Sequence, residues 1–148
     1  MRNVTLFIFL FFLFQKIQAE EPWQVTVKAW NAMGKKDLDS VEKLANHANR
    51  VWGELARKTN KQITKLPSGK DANKYSTLNE LATITYLKGE ALLKKGDRDG
   101  ALAAYYMLIA DFNYGQCRDK AGWWWQPASA ARDRIAELSP ATQTEISI

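Results

Sequence analysis

The chain has 148 residues, a formal net charge of +5 and 25% charged residues, a size that suits one domain with a modest core. Its charge is spread along helical faces with no basic stripe interleaved with aromatics, which argues against a nucleic-acid footprint. A single cysteine, Cys117, excludes an internal disulfide framework; the lone thiol is expected to be buried, the alternative being pairing with another chain.

The first segment, "MRNVTLFIFLFFLFQKIQA", starts with Arg2, runs through eleven apolar or near-apolar residues from Val4 to Phe14, and closes on the small residue Ala19. That layout predicts a secretory signal peptide over 1–19 and a periplasmic or secreted protein. An eleven-residue helix spans about 16 Å against a hydrocarbon core of about 30 Å, so no stable membrane span is expected after cleavage. No cysteine follows the run, which removes a lipoprotein attachment site. Five of the six phenylalanines lie in this leader. Without it the chain keeps 129 residues, and the loss of Arg2 and Lys16 lowers the charge to +3.

From there to residue 138 the periodicity is helical, and the expected fold is all-α. "WQVTVKAWNAMGKKD" predicts a short helix with Val27, Trp30 and Met33 inward, ending at Gly34 and its lysines. The next helix carries Val41, Leu44, Ala45, Ala48, Val51, Trp52, Leu55 and Ala56 at i, i+3, i+4, i+7 spacing, with Asp39 or Ser40 as N-cap. "TKLPSGKDANKYS" is a loop rich in turn formers. A third helix, Ala72 to Lys95, shows two apolar faces, one with Leu78, Leu81, Ala82, Thr85 and Leu92, the other with Ile84, Leu87 and Ala91. It is therefore expected to be central. The fourth follows at once with Ala101, Tyr105, Leu108, Ile109 and Phe112 on one stripe. "NYGQCRDKAG" breaks the pattern, and Pro127 sits in the first turn of a fifth helix with Ala128, Ala131, Ile135 and Leu138 inward. Residues 139–148 have no period and read as a flexible tail. No segment reads as a strand.

Helix pairs joined by tight turns invite a search for repeats. Residues 85–112, "TYLKGEALLKKGDRDGALAAYYMLIADF", resemble a tetratricopeptide repeat: Gly89 for close helix approach, Gly96 and Asp97 at the turn, Ala101 opening the second helix and Tyr105 as its aromatic. A weaker copy upstream aligns Asp37 with Asp97, Val41 with Ala101 and Ala29 with Gly89, at an interval of 60 residues rather than the usual 34 or so. An unrelated helical bundle is the alternative. Tyr75 to Leu138 also looks like small exported bacterial proteins in which an aromatic-rich segment follows such a hairpin. The resemblance implies antiparallel hairpins stacked as a short array over 20–138. It also implies a non-catalytic protein-interaction module of the cell envelope whose groove receives an envelope protein or peptide.

The chemistry-bearing residues favour no catalysis. Asp37/Asp39 and Asp97/Asp99 sit at helix starts, where carboxylates cap backbone N–H groups rather than act as a glycosidase pair. His47, the only histidine, is expected at the surface, so a dyad with Cys117 is disfavoured, and one His with one Cys makes no usual zinc site. No cofactor is expected. "GWWWQP" remains. On a helix successive side chains point about 100° apart, so Trp123, Trp124 and Trp125 cannot all enter one core. One or two rings are expected to lock the fifth helix against the third and fourth. The remaining ring, with Tyr106 or Tyr114, is the candidate contact for a partner or for a glycan. Homodimerisation through Cys117 or an uncapped array end is a third reading.

Overall fold

The computed structural model describes residues 19–139; the expected signal peptide and C-terminal tail lie outside these residues except for Ala19 and Ser139. The elements are α1 (Pro22–Gly34), α2 (Leu38–Gln62), a short α3 (Gly69–Ala72) with a 3-10 turn at Asn73–Tyr75, α4 (Ser76–Lys94), α5 (Arg98–Asp111), β1 (Cys117–Arg118), β2 (Trp124–Trp125) and α6 (Pro127–Leu138). The fold is all-α, with five long helices packed on one another. One departure from the sequence reading is the antiparallel β1–β2 pair, in the register Cys117↔Trp125 and Arg118↔Trp124. Another is that α4 begins at Ser76, because the chain before it tightens into the 3-10 turn.

The central helix is α4. Leu78, Leu81, Ala82, Ile84, Leu87 and Ala91 are buried around most of its circumference, and α1, α2, α5 and α6 all pack against it. It meets α5 tightly at Gly89: a Cβ there would lie 2.3 Å from the ring of Tyr105, which is itself fully buried. Arg57 ties α2 to α5, donating from Nε to Asp111 at 2.7 Å and lying 5.5 Å from the centre of the Phe112 ring. Among the described residues no helix is long and apolar enough to cross a membrane.

Two apolar stripes compete on α1, and the structure buries the one with the smaller residue. Val25 and Ala29 face the core, whereas Val27 and Trp30 are exposed, opposite to the expectation that they point inward; Met33 is half-buried. A helix gripped between α2 and α4 needs a small side chain at the crossing, and Ala29 supplies it. On α2 the buried line runs Val41, Ala45, Ala48, Ala56 and Asn60, with Val51 and Leu55 about half exposed. The stripe read from the sequence was wider than the covered face.

The α1–α2 and α4–α5 connections are the same turn, 60 residues apart. Lys36 (φ 60°) and Gly96 (φ 83°) both occupy the left-handed region. Lys36 N–H donates to Met33 C=O and Asp37 N–H to Ala32 C=O, at 3.0 and 2.9 Å. Gly96 to Leu93 and Asp97 to Leu92 repeat those bonds at the same lengths. This pattern satisfies the last helical carbonyls. The residue closing each turn then caps the next helix: Asp37 accepts from Ser40 N–H at 3.2 Å and Asp97 from Gly100 N–H at 2.9 Å. The cap of α2 is thus Asp37, not Asp39 or Ser40, and Asp39 instead pairs with Lys95 at 2.7 Å. Val41 and Ala101 are fully buried at matching positions.

The two turns differ in strain, because a lysine is held where glycine is at ease. Lys36→Gly is expected to stabilise the protein by about 1 kcal/mol in urea unfolding. Gly89→Ala is expected to lose about 2 kcal/mol through overpacking against Tyr105; a neutral result would show that the ring has room to move.

Candidate functional site

Asp119 begins the turn between the two short strands. Its N–H donates to Trp123 C=O at 2.8 Å, its carboxylate accepts from Ala121 N–H at 2.7 Å, and Gly122 adopts φ 94°. The three tryptophans therefore lie on extended chain, where successive side chains face opposite sides, and not on a helix. Trp124 packs over Gly69, where a Cβ would come within 2.5 Å of the indole. Trp125 points the other way and meets Tyr86 of α4 edge to face, with ring centres 5.5 Å apart. Trp123 is 56% exposed.

Buried amides hold this ribbon in place. Asn79 on α4 donates to Ala72 C=O and accepts from Gln116 N–H, each at 2.8 Å, so one side chain staples both the α3 segment and the start of the ribbon. Gln116 donates to Pro67 C=O at 2.8 Å, and Asn60 accepts from Tyr114 N–H at 2.9 Å. Unsatisfied amides at such depth would cost the full desolvation penalty, and each is bonded.

Between the ribbon and the exposed face of α1 opens a cleft of about 740 Å³, lined by Trp30, Trp123 and Trp125 with Asn31, Asp119 and Lys120 among its polar groups. A second hollow of about 340 Å³ adjoins it through Trp30 and holds Trp23, Trp124 and Glu80. Five of the six tryptophans thus border these two adjoining hollows, and Trp52, edge to face with His47 on α2, is the exception. Burial raises the Glu80 carboxyl above its ordinary value, and the Thr26 hydroxyl partly offsets it. Cys117, expected to be buried, is only half-buried and lines both hollows; partial burial pushes its thiol up, so it is no ready nucleophile.

Behind the ribbon lies a polar cluster. Arg134 of α6 grips Glu90 with Nε at 2.8 Å and Nη2 at 3.1 Å, and Tyr105 donates to the same carboxylate at 2.7 Å. Burial alone would raise Glu90, but the bonds from Arg134 and Tyr105 outweigh it and hold the carboxyl below its usual range. Burial, then the hydrogen bond to Glu90, drives the Tyr105 phenol far above its ordinary value. Tyr86 links cluster and ribbon, its ring 6.0 Å from Tyr105. The arrangement anchors α6 and backs Trp125.

Of the candidate contact residues, Trp123, Trp124 and Trp125 come together at the two hollows. Tyr106 is exposed on α5 and Tyr114 is packed against the core, and neither lines them. Sequence reasoning missed Trp23, Trp30 and Glu80; the signal is the i, i+4, i+7 spacing of Trp23, Val27 and Trp30, of which the sequence reading places Val27 and Trp30 in the core. His47 lies on α2, 3.4 Å from Glu20, and does not line either hollow. Among the described residues no group of three or more His, Cys, Asp or Glu is placed to hold a metal. No family model, curated protein or solved structure matches the chain.

Glu90 has a folded pKa lowered from an ordinary value of 4.5, so it binds fewer protons folded than unfolded. Its contribution is present above that value and lost as pH falls through the folded pKa. Glu90→Gln is expected to cost about 1–2 kcal/mol at neutral pH. The gap to the parent chain should close as urea unfolding is repeated at progressively more acidic pH; a constant gap would contradict the assignment.

Proposed function

We propose that the protein is a non-catalytic, exported binding module of the tetratricopeptide type, which receives a segment of a cell-envelope protein in the indole-lined cleft between α1 and the ribbon. The observation that carries this reading is the convergence of five tryptophans from two distant segments on two adjoining hollows. Aromatic side chains of this kind dominate interface energetics and lose little conformational freedom on binding. The cleft volume is in the range of built ligand sites. The duplicated α-hairpin turn supports the repeat-like reading, since stacked helix pairs leave grooves through their geometry. The capping roles of Asp37 and Asp97 leave no carboxylate pair free at the helix starts for hydrolysis.

The same cleft supports a second reading, an oligosaccharide stacked on the indoles, favoured by the hydrogen-bonding groups of Asn31, Asp119 and Lys120 along the indole walls. Selection from a displayed peptide library, set beside titration with cell-wall and plant-type oligosaccharides, separates the two. Selected peptides are expected to bind saturably and to weaken about tenfold or more on Trp123→Ala, with helicity unchanged. Tyr106→Ala, away from the cleft, is expected to leave affinity as it was. Sugar binding with no peptide selected would favour the glycan reading, and equal effects of the two substitutions would remove the cleft from consideration.

A further inference from the structure

The smaller hollow differs from the main cleft in its charge. Its walls are the indoles of Trp23, Trp30 and Trp124, and Glu80 is the one acidic residue among them. Glu80 is half-buried and has no ion-pair partner within 4.0 Å among the described residues. Arg118, the one basic residue lining the hollow, is exposed on the ribbon, whereas Glu80 projects from the central helix. We propose that this hollow is a subsite for an alkylammonium group, as carried by a lysine side chain or by choline, set beside Glu80 and enclosed by the three indoles. The inference rests on the reading of the adjoining cleft as a ligand seat and specifies what one end of that ligand carries.

Three physical points converge on a cation. Indole rings attract alkylammonium groups through their quadrupole, and several rings around one hollow act together. A carboxylate withdrawn from water without a counter-charge is penalised, and an ammonium group removes that penalty where a neutral group of the same shape does not. The space, about 340 Å³, admits a trimethylammonium head or the end of a lysine stem.

The test uses the six indole N–H signals of isotopically labelled protein, with Trp52 as an internal reference remote from the hollow. Choline chloride is added at constant ionic strength, beside its uncharged carbon isostere dimethylbutanol, and beside a lysine peptide compared with the same peptide carrying norleucine. Choline or the lysine peptide is expected to shift Trp23, Trp30 and Trp124 saturably, while dimethylbutanol and the norleucine peptide do not. Binding of the lysine peptide alone would assign the ammonium group to a polypeptide. Glu80→Gln and Trp30→Ala are each expected to weaken binding about tenfold with the helical spectrum unchanged. Equal binding of the uncharged isostere, an unaltered titration in Glu80→Gln, or no shift with either cation would overturn the proposal. Shifts of Trp123 and Trp125 on adding the lysine peptide, with Trp23 and Trp124 unmoved by it and by choline, would leave the larger cleft standing as a ligand seat while the ammonium subsite fell.

Discussion

A helix that is apolar on nearly every side cannot face water, and α4 is such a helix. With Leu78, Leu81, Ile84, Leu87 and Ala91 pointing in several directions, its burial requires covering helices on opposite flanks. α1 and α2 cover one part of it, α5 and α6 another. The requirement sets the small residues elsewhere: Gly89 lets Tyr105 lie flat against α4, and Ala29 lets α1 approach. It also explains α6. Arg134 of that helix donates from Nε at 2.8 Å to Glu90, a carboxylate of α4 that is largely withdrawn from solvent.

What could be read from the sequence follows from how local each determinant is. The turns were legible because the capping aspartate and the apolar residue four positions on act locally, and the alignment of Asp37 with Asp97 and Val41 with Ala101 describes one turn used twice. The central place of α4 was legible because two apolar faces on one helix require cover on both. The rotation of α1 was not. Trp23–Val27–Trp30 and Val25–Ala29 are both helical stripes, and hydrophobicity alone favours the larger residues. Packing distance decides otherwise, and that depends on α2 and α4, far away in the chain.

The ribbon was hidden for a different reason. Two residues per strand are too few to show a period, and what fixes them is remote: Asn79, a polar residue inside a helix pattern, bonds Gln116 and Ala72 at once. The limit placed on the tryptophans still produced one exposed ring, but through strand alternation rather than helical rotation. Trp124 goes to Gly69, Trp125 goes to Tyr86, and Trp123 stays at the solvent edge of the cleft. The partners on α1 could not be foreseen once Trp30 had been assigned to the core.

The outer face of α1 is not polar. A surface helix ordinarily turns a polar face to solvent. The second hairpin meets that need through α6, whose outward side carries Arg132, Asp133 and Glu137. The first hairpin instead leaves Trp23, Val27 and Trp30 about half exposed on α1, beside a ribbon that contributes Trp123. Polar residues at these positions would leave Val25 and Ala29, the residues that pack α1, untouched. The result is a partly exposed aromatic surface bordering a hollow with one acidic residue, on a helix whose packing is supplied by Val25 and Ala29.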